Sequence, residues 1–271
     1  MNKVMKILLV GMLSAFVAFG LMACGGGNSS SSTEGASTGA AGSGSTYVIA
    51  TDTAFAPFEF ANASGTYEGI DIDLLDAIAK DQGFSYELNP LGFDAALQAV
   101  QANQADGVIA GMSITDERKQ VFDFSDAYYD STVCCAADAK GDISSLKDLD
   151  GKKVAVKKGT QSESWANSIA SEYNFTTVEF DTSDIMYQDV AAGNSAACFE
   201  DTPVMGYAIS TGNVDLKIIE EVDSTSEYAT PYGFAVNKGN NAELLSMFNA
   251  GLANIKANGT YDEIVAKYVS K

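Results

Sequence analysis

The sequence of 271 residues contains no histidine, the most common general base and metal ligand in proteins. Its absence excludes Ser-His and Cys-His nucleophile pairs and removes the most common metal ligand, which disfavours an enzyme. We predict a protein that is not an enzyme and has no cofactor and no metal site. Basic residues are also scarce, because 16 Lys and Arg stand against 36 Asp and Glu, and the formal net charge is −20. Such a charge repels other polyanions, which excludes nucleic acid as a partner.

Apolar runs long enough to span a membrane are lacking at the N-terminus, where Ile7 to Leu21 is apolar but short. This run follows Lys3 and Lys6, as in a signal peptide, which we place at residues 1–23. The residues Leu21-Met22-Ala23-Cys24 resemble a bacterial lipobox, whose Cys becomes the acylated first residue. We therefore expect Cys24 to carry lipid, the alternative being an uncleaved anchor with an incidental Cys.

The segment after Cys24 is poor in apolar and charged residues. Every residue from Gly25 to Thr46 is Gly, Ser, Thr, Ala, Asn or the single Glu34. This composition cannot bury apolar surface, so residues 24–46 are predicted to be the acylated Cys and a flexible tether. Cysteine is also rare beyond this point. We expect Cys134, Cys135 and Cys198 to be buried apolar residues, with a disulfide of Cys198 as the alternative.

After the tether, strand and helix signals alternate twice, which predicts an α/β fold in two lobes with a cleft between them. Asp71 to Gln82 is a typical predicted helix, since Leu74, Leu75 and Ile78 share one face and Gly83 follows it. The other predicted strands are Tyr47–Thr51, Phe84–Leu88, Gly107–Met112, Lys153–Lys157, Thr177–Phe180 and Ala196–Glu200. The other predicted helices are Asp94–Gln104, Ser162–Tyr173, Ser183–Ala192, Glu243–Asn258 and one that Thr260 opens with Glu263 in a capping box.

The run from Gly111 to Arg118 places an arginine near a predicted helix start that Thr115 caps. A cation is unfavourable there unless it faces an anion. Arg118, the Ser113 hydroxyl and free backbone N–H groups could therefore bind a carboxylate. The alternative is a surface ion pair between Arg118 and a nearby aspartate, namely Asp116, Asp123 or Asp126.

A similar turn follows the strand at Lys157, where Lys158-Gly159-Thr160-Gln161 leads into a helix with unpaired first N–H groups. Asp201 follows another strand and could accept a ligand ammonium, or it could cap the next helix. Phe55 and Phe93 each follow a strand, and could belong to the core or face the cleft.

Together these segments resemble the amino-acid-binding proteins of polar amino-acid ABC importers. The resemblance extends from Tyr47 to the C-terminus. Its most specific stretches are Thr51-Asp52-Thr53-Ala54-Phe55-Ala56-Pro57-Phe58-Glu59-Phe60, Gly69-Ile70-Asp71-Ile72-Asp73-Leu74, Gly111 to Arg118, Phe122-Asp123-Phe124-Ser125, Leu149 to Val156, Glu200-Asp201-Thr202-Pro203 and Asn258-Gly259-Thr260-Tyr261.

The resemblance implies a type II periplasmic-binding-protein-like fold with two crossing hinge segments. Lobe 1 would be residues 47–127 and 233–271, the hinge 128–132 and 228–232, and lobe 2 133–227. It implies a monomeric protein outside the cytoplasm, held by its lipid on the outer face of the cytoplasmic membrane, that passes a free amino acid to an ABC permease complex.

The resemblance also implies roles for individual residues. Arg118, Ser113 and the backbone at Gln161 would bind the ligand carboxylate, while Asp201 and the Gly111 carbonyl would bind its ammonium. The ligand side chain would meet Phe55, Phe93, Asp52 and Lys157.

The ligand follows from the charge at that distal end. If Lys157 neutralises Asp52, the pair suits glutamine or a similar neutral polar amino acid; if Glu200 also faces the pocket, a cationic amino acid is favoured. Cystine is a third alternative. Readings of another class are a dehydratase- or lyase-like enzyme, or a sensor, on the same scaffold.

Overall fold

The computed structural model describes residues 45–269, so the predictions for the signal peptide, Cys24 and most of the tether lie outside the described residues. The described strands are β1 (Thr46–Thr51), β2 (Ala54–Phe55), β3 (Glu59–Ala61), β4 (Tyr67–Glu68), β5 (Ser85–Pro90), β6 (Gly107–Val108), β7 (Phe122–Phe124), β8 (Val133–Asp138), β9 (Lys153–Lys157), β10 (Thr176–Phe180), β11 (Ala197–Asp201), β12 (Leu216–Glu221) and β13 (Ala235–Asn237). The described α-helices are α1 (Ile70–Gln82), α2 (Phe93–Gln101), α3 (Gln161–Tyr173), α4 (Ser183–Ala191), α5 (Thr202–Ser210), α6 (Ala242–Ala257) and α7 (Thr260–Tyr268). None of the helices within 45–269 is long and apolar enough to cross a bilayer.

Two five-stranded sheets organise the chain, in the strand orders β5-β1-β6-β13-β7 and β10-β9-β11-β8-β12. The first sheet with α1, α2, α6 and α7 is the first lobe, and the second sheet with α3, α4 and α5 is the second lobe. In each sheet, three neighbouring strands run parallel, the fourth strand is antiparallel to them, and the fifth strand is antiparallel to the fourth. The predicted two-lobed α/β fold is thus confirmed.

Helices cover both faces of each sheet. Successive strand residues point to opposite faces, so neighbouring residues of one strand pack against different helices. In β1, Ile49 joins the cluster that includes residues of α1 and α6, whereas Ala50 joins the cluster around α2. In β9, Val154 packs with α3 and Ala155 with α4. Strands buried on both faces explain the near-continuous apolar runs of the sequence.

The chain passes between the lobes in residues 125–132 and again in residues 222–234. These two segments meet at Tyr129 and Tyr232, which form an antiparallel bridge, and the Tyr128 N–H donates to the Tyr232 carbonyl at 2.9 Å. The aromatic rings of Phe58, Tyr129 and Tyr232 pack at this crossing with centroids 4.9 to 6.1 Å apart.

Several predicted elements are shorter than expected. The strand predicted over 107–112 ends at Val108, because Gly111 has a φ of 53° that a strand does not accommodate. The helix predicted to reach Gln104 ends at Gln101. The helix expected after Thr115 is a 3-10 turn of three residues, Arg118–Gln120, although the Thr115 hydroxyl does accept from the Arg118 N–H.

Two predicted boundaries are also wrong, the start of the last helix and the end of the tether. Thr260 is the first residue of α7 rather than its cap: the Asn258 side chain accepts from the Thr260 N–H, and no capping box forms. At the other end of the described chain, Thr46 belongs to β1 and not to the tether, because it pairs with Ser85.

The three described cysteines are buried free thiols, as predicted, and the disulfide alternative for Cys198 is wrong. They lie in the central strands β8 and β11 of the second sheet. Burial raises the pKa of all three thiols well above their ordinary value, so they remain neutral side chains of the core.

Candidate functional site

Arg118 lies at the mouth of the cleft and connects the two lobes. Its Nη1 donates to the Ser113 carbonyl at 2.8 Å, and its Nη2 donates to the Gly159 carbonyl of the second lobe at 2.9 Å. Loss of hydration lowers the pKa of the guanidinium to about 10, so it stays charged at neutral pH. The alternative surface ion pairs are absent in 45–269: Asp116 pairs with Lys119, and Asp123 with Lys238.

Asp201 ends β11 and points into the cleft instead of capping α5. Its Oδ2 accepts from the Tyr232 hydroxyl at 2.5 Å, and its buried Oδ1 has no donor among the described residues. Burial raises the pKa of Asp201 to about 7, and the neighbouring Glu200 adds to the effect. A carboxylate in this state can accept a hydrogen bond from a cation placed in the cleft.

Gly111 faces the same space from the first lobe. A Cβ on this residue would lie 2.4 Å from Cε1 of Phe55, and its positive φ disfavours any other residue. The Gly111 N–H is held at 2.8 Å by the Asp71 carboxylate, which fixes the orientation of the peptide.

Asp52 and Lys157 form a buried ion pair across the lobes, with 1% of each side chain exposed. Burial alone would lower the pKa of Lys157, but Asp52 and Glu200 outweigh it and raise the pKa. The ammonium lies 4.5 Å from the ring centroid of Phe55 and 5.9 Å from that of Phe93. Phe93 also lies under the Arg118 guanidinium, at 5.2 Å.

The turn between β9 and α3 forms the second-lobe wall of the cleft. Thr160 caps α3, because its hydroxyl accepts from the Glu163 N–H and donates to the Lys157 carbonyl at 2.7 Å. Gln161, the first residue of the helix, lines the cleft, and its side-chain amide donates to the Glu227 carbonyl at 3.3 Å.

Glu200 is fully buried, but its carboxylate is directed into the second lobe. It accepts hydrogen bonds from the Ser183 and Tyr187 hydroxyls at 2.6 and 2.8 Å, and from the Asp201 N–H at 2.9 Å. It is not among the residues that line the cleft. Its charge raises the pKa of Lys157 and of Asp201 from outside the cleft.

The structure therefore gathers all nine predicted site residues at one place. Eight of them line the cleft directly, and Asp52 is in contact through Lys157. The cleft is closed: the cavity between these residues measures about 10 Å³, enough for roughly one water molecule. The lobes must separate before anything larger can enter.

Sequence reasoning missed Thr160 and Tyr232. Thr160 was detectable, since Thr160-Gln161-Ser162-Glu163 has the spacing of a capping box just after a glycine turn. Tyr232 was not, because no local pattern links it to Asp201, which lies 31 residues away in the chain. Within the described residues, no cluster of three or more His, Cys, Asp or Glu could hold a metal ion.

Known proteins are similar to this chain over most of its length. A histidine-binding protein described as probable, from Neisseria gonorrhoeae, is 32% identical over 94% of this chain and 92% of its own. Among solved structures, the second substrate-binding domain of GlnP from Lactococcus lactis, in an open conformation, is 46% identical and covers 83% of this chain and 96% of its own, with a TM-score of 0.58.

An ancestral arginine-binding protein, solved with arginine and with glutamine, is 38% identical, covers 83% of this chain and 98% of its own, and gives TM-scores of 0.76 and 0.75. Residues 47–271 match the profile of the bacterial extracellular solute-binding proteins, family 3. The chain belongs to this family.

Proposed function

We propose that this protein captures a polar amino acid between its two lobes, with glutamine preferred, and delivers it to an ABC importer. The observation that carries the proposal is that Arg118 and Asp201 line the same closed cleft, and that one carboxylate oxygen of Asp201, Oδ1, has no hydrogen-bond partner among the described residues. A guanidinium and a carboxylate at opposite sides of a small cleft match the two charged groups that every free amino acid carries.

The backbone groups of the amino acid would engage both lobes. Arg118, Ser113 and the backbone at Gln161 would bind the carboxylate, while Asp201 and the Gly111 carbonyl would bind the ammonium. A ligand held from both sides stabilises the closed arrangement over the open one, and this differential affinity converts binding into lobe closure.

The preference for glutamine rests on the distal end of the cleft. Asp52 and Lys157 neutralise each other there, and together they offer one acceptor and one donor, as a side-chain amide requires. Glu200 is satisfied by three donors inside the second lobe, which removes the second acid that a cation would need. Phe55 and Phe93 provide faces for a flat group.

A cationic amino acid is the second candidate ligand. The relative named for histidine and the ancestral protein named for arginine favour it, although the latter was also solved with glutamine. Cystine comes third, since the cleft has no feature specific to a disulfide.

Calorimetry with glutamine and with arginine tests the preference. We expect a tight glutamine isotherm and a much weaker one for arginine; tight arginine binding with no glutamine signal would contradict the neutral-site reading. The Lys157→Met variant should reverse the order, because it leaves Asp52 without its cation. Lys158→Met is the matched control: this neighbouring lysine pairs with Asp94 at 3.0 Å, about half exposed, and should not change the order.

Delivery would take place at the outer face of the cytoplasmic membrane, to which the predicted lipid on Cys24 would hold the protein as a monomer. The Cys24→Ala variant should release the protein or leave it unprocessed, with ligand affinity unchanged. Unaltered processing and lipid labelling in that variant would contradict the anchor.

A further inference from the structure

Two carboxyl groups, those of Glu59 and Asp71, lie beside each other in the interior of the first lobe. Both residues are fully buried. Neither Glu59 oxygen has a hydrogen-bond donor among residues 45–269, and the same holds for Oδ1 of Asp71. A buried carboxylate without donors is costly, so two of them side by side need a physical explanation.

The backbone brings the two residues together. The Ile70 and Asp71 N–H groups at the start of α1 donate to the Pro57 and Phe58 carbonyls, both at 2.9 Å, which lays the segment before Glu59 against the helix. Gly69 permits this approach, because a Cβ there would lie 2.1 Å from the Phe58 carbonyl oxygen.

The two carboxyl groups have different surroundings. Asp71 accepts from the Gly111 N–H and the Tyr128 hydroxyl through Oδ2, both at 2.8 Å, and lies in the first turn of α1, where negative charge is favoured. Glu59 accepts no such hydrogen bonds from the described residues. Its charged neighbours are Asp71, Asp52 and, with opposite sign, Lys157, while the Tyr67 and Tyr128 hydroxyls lie nearby.

The electrostatics agree with this asymmetry. Burial raises the pKa of Glu59 well above its ordinary value, and Asp71 and Asp52 raise it further. Burial also raises the pKa of Asp71, to about 6, although its hydrogen bonds to Gly111, Tyr128 and Glu59 act in the opposite direction. These surroundings therefore favour the proton on Glu59 and the negative charge on Asp71.

We propose that Glu59 and Asp71 share one proton, and that this acid pair is a positioning element for the Gly111 side of the ligand cleft. The proton on Glu59 is donated to the Asp71 carboxylate, and Asp71 in turn holds the Gly111 N–H. One proton on a Glu59 oxygen thus supplies the donor that Asp71 Oδ1 lacks.

The pair also reaches the segments that cross between the lobes. Asp71 accepts from Tyr128, whose N–H donates to the Tyr232 carbonyl, and the Tyr232 hydroxyl donates to Asp201. The pair is therefore connected both to the Gly111 peptide and, through the crossing, to Asp201. Its role in ligand binding rests on the proposed function, whereas the shared proton does not.

The shared proton is tested without ligand. The infrared difference spectrum between the wild type and Glu59→Gln at neutral pH should contain a protonated-carboxyl band, because the contribution of Asp201 is common to both proteins and cancels. Because the folded-state pKa of Glu59 is raised, wild-type stability should fall, relative to Glu59→Gln, as pH rises above the ordinary glutamate range. Absence of the band, or parallel stability profiles, would overturn the shared proton. Glu68→Gln is the control, since Glu68 is partly exposed and accepts from Asn62.

The positioning role is tested with glutamine in calorimetry. Glu59→Gln should bind within about threefold of wild type, because its amide still donates to Asp71; Glu59→Leu, which has no donor, should lose on the order of tenfold or more. Equal losses in both variants, or none in Glu59→Leu, would overturn the role. If the wild type binds no amino acid, the proposed function fails while the infrared and stability results still decide the shared proton.

Discussion

Arg118 presently satisfies its guanidinium with two carbonyl oxygens, those of Ser113 and Gly159. A bound carboxylate would offer a stronger, charge-assisted partner in the same place. We expect Arg118→Ala to weaken glutamine binding by about 2–5 kcal/mol, since removal of one partner leaves the other desolvated and unpaired.

Calorimetry measures this loss, and Lys119→Ala is its control, because Lys119 is adjacent in sequence but pairs with Asp116 at the surface. Binding by Arg118→Ala within a few-fold of the wild type would place the guanidinium outside the ligand contacts.

At the residue scale, sequence alone left several side chains with two possible roles. Arg118 and Asp201 each had a surface or capping alternative, and only the resemblance to a family assigned them to a common cleft. The structure removes both alternatives, because Asp116 and Asp123 have other partners and α5 lacks a side-chain cap. The Glu59–Asp71 pair was not predictable, since a buried acid and an exposed one look the same in sequence.

At the scale of elements, α6 packs on α1 through Gly251. A Cβ at this position would lie 2.8 Å from Cγ2 of Ile78 and 3.1 Å from Cγ of Gln82. We expect Gly251→Ala to destabilise the fold by about 1–3 kcal/mol, because the two helices would be forced apart. Denaturant unfolding measures the effect.

Gly206 provides a matched comparison in α5, where a Cβ would meet nothing within 4 Å. There the alanine substitution should stabilise the protein by roughly 0.5–1 kcal/mol, as helix propensity predicts. If both substitutions shifted stability in the same direction, contact between α1 and α6 would not explain the Gly251 result.

Regular elements were the most predictable part of the fold. The strand Lys153–Lys157 was predicted to the residue, because an apolar core of three residues is bounded by lysines and a glycine turn. Prediction failed where side chains from distant segments set the backbone conformation and so the end of an element. The strand predicted to reach Met112 stops short of Gly111, whose N–H is held at 2.8 Å by Asp71, 40 residues earlier in the chain.

At the scale of the whole molecule, Asp201 is buried beside Tyr232 in the closed protein, and we expect separation of the lobes to return its carboxyl to water. Its pKa is about 7 in the closed form, and loss of burial on opening should bring it toward the ordinary aspartate value of about 3.9, so we expect closure without ligand to take up a proton. A raised pKa favours the closed form as pH falls. We therefore expect the ligand-free protein to shift toward closure between about pH 7 and pH 4.

Small-angle X-ray scattering should record this shift as a smaller radius of gyration at low pH, and saturating glutamine should produce the same contraction at neutral pH. The Asp201→Asn variant should lose the pH dependence, because its side chain is neutral throughout. A wild-type radius that is constant with both pH and ligand would argue against hinge motion.

Lys157 is sealed inside the closed cleft, whereas the lysines of the surface ion pairs, such as Lys140 and Lys158, keep about half or more of their side chains exposed. An acylating reagent that needs a free amine cannot reach Lys157 until the lobes separate. Mass spectrometry can follow the modification of this one amine, with the exposed lysines as internal references. The rate at which Lys157 is modified therefore measures the rate of spontaneous opening. The ion pair between Asp52 and Lys157 thus places one amine where its rate of modification reports how often the lobes separate.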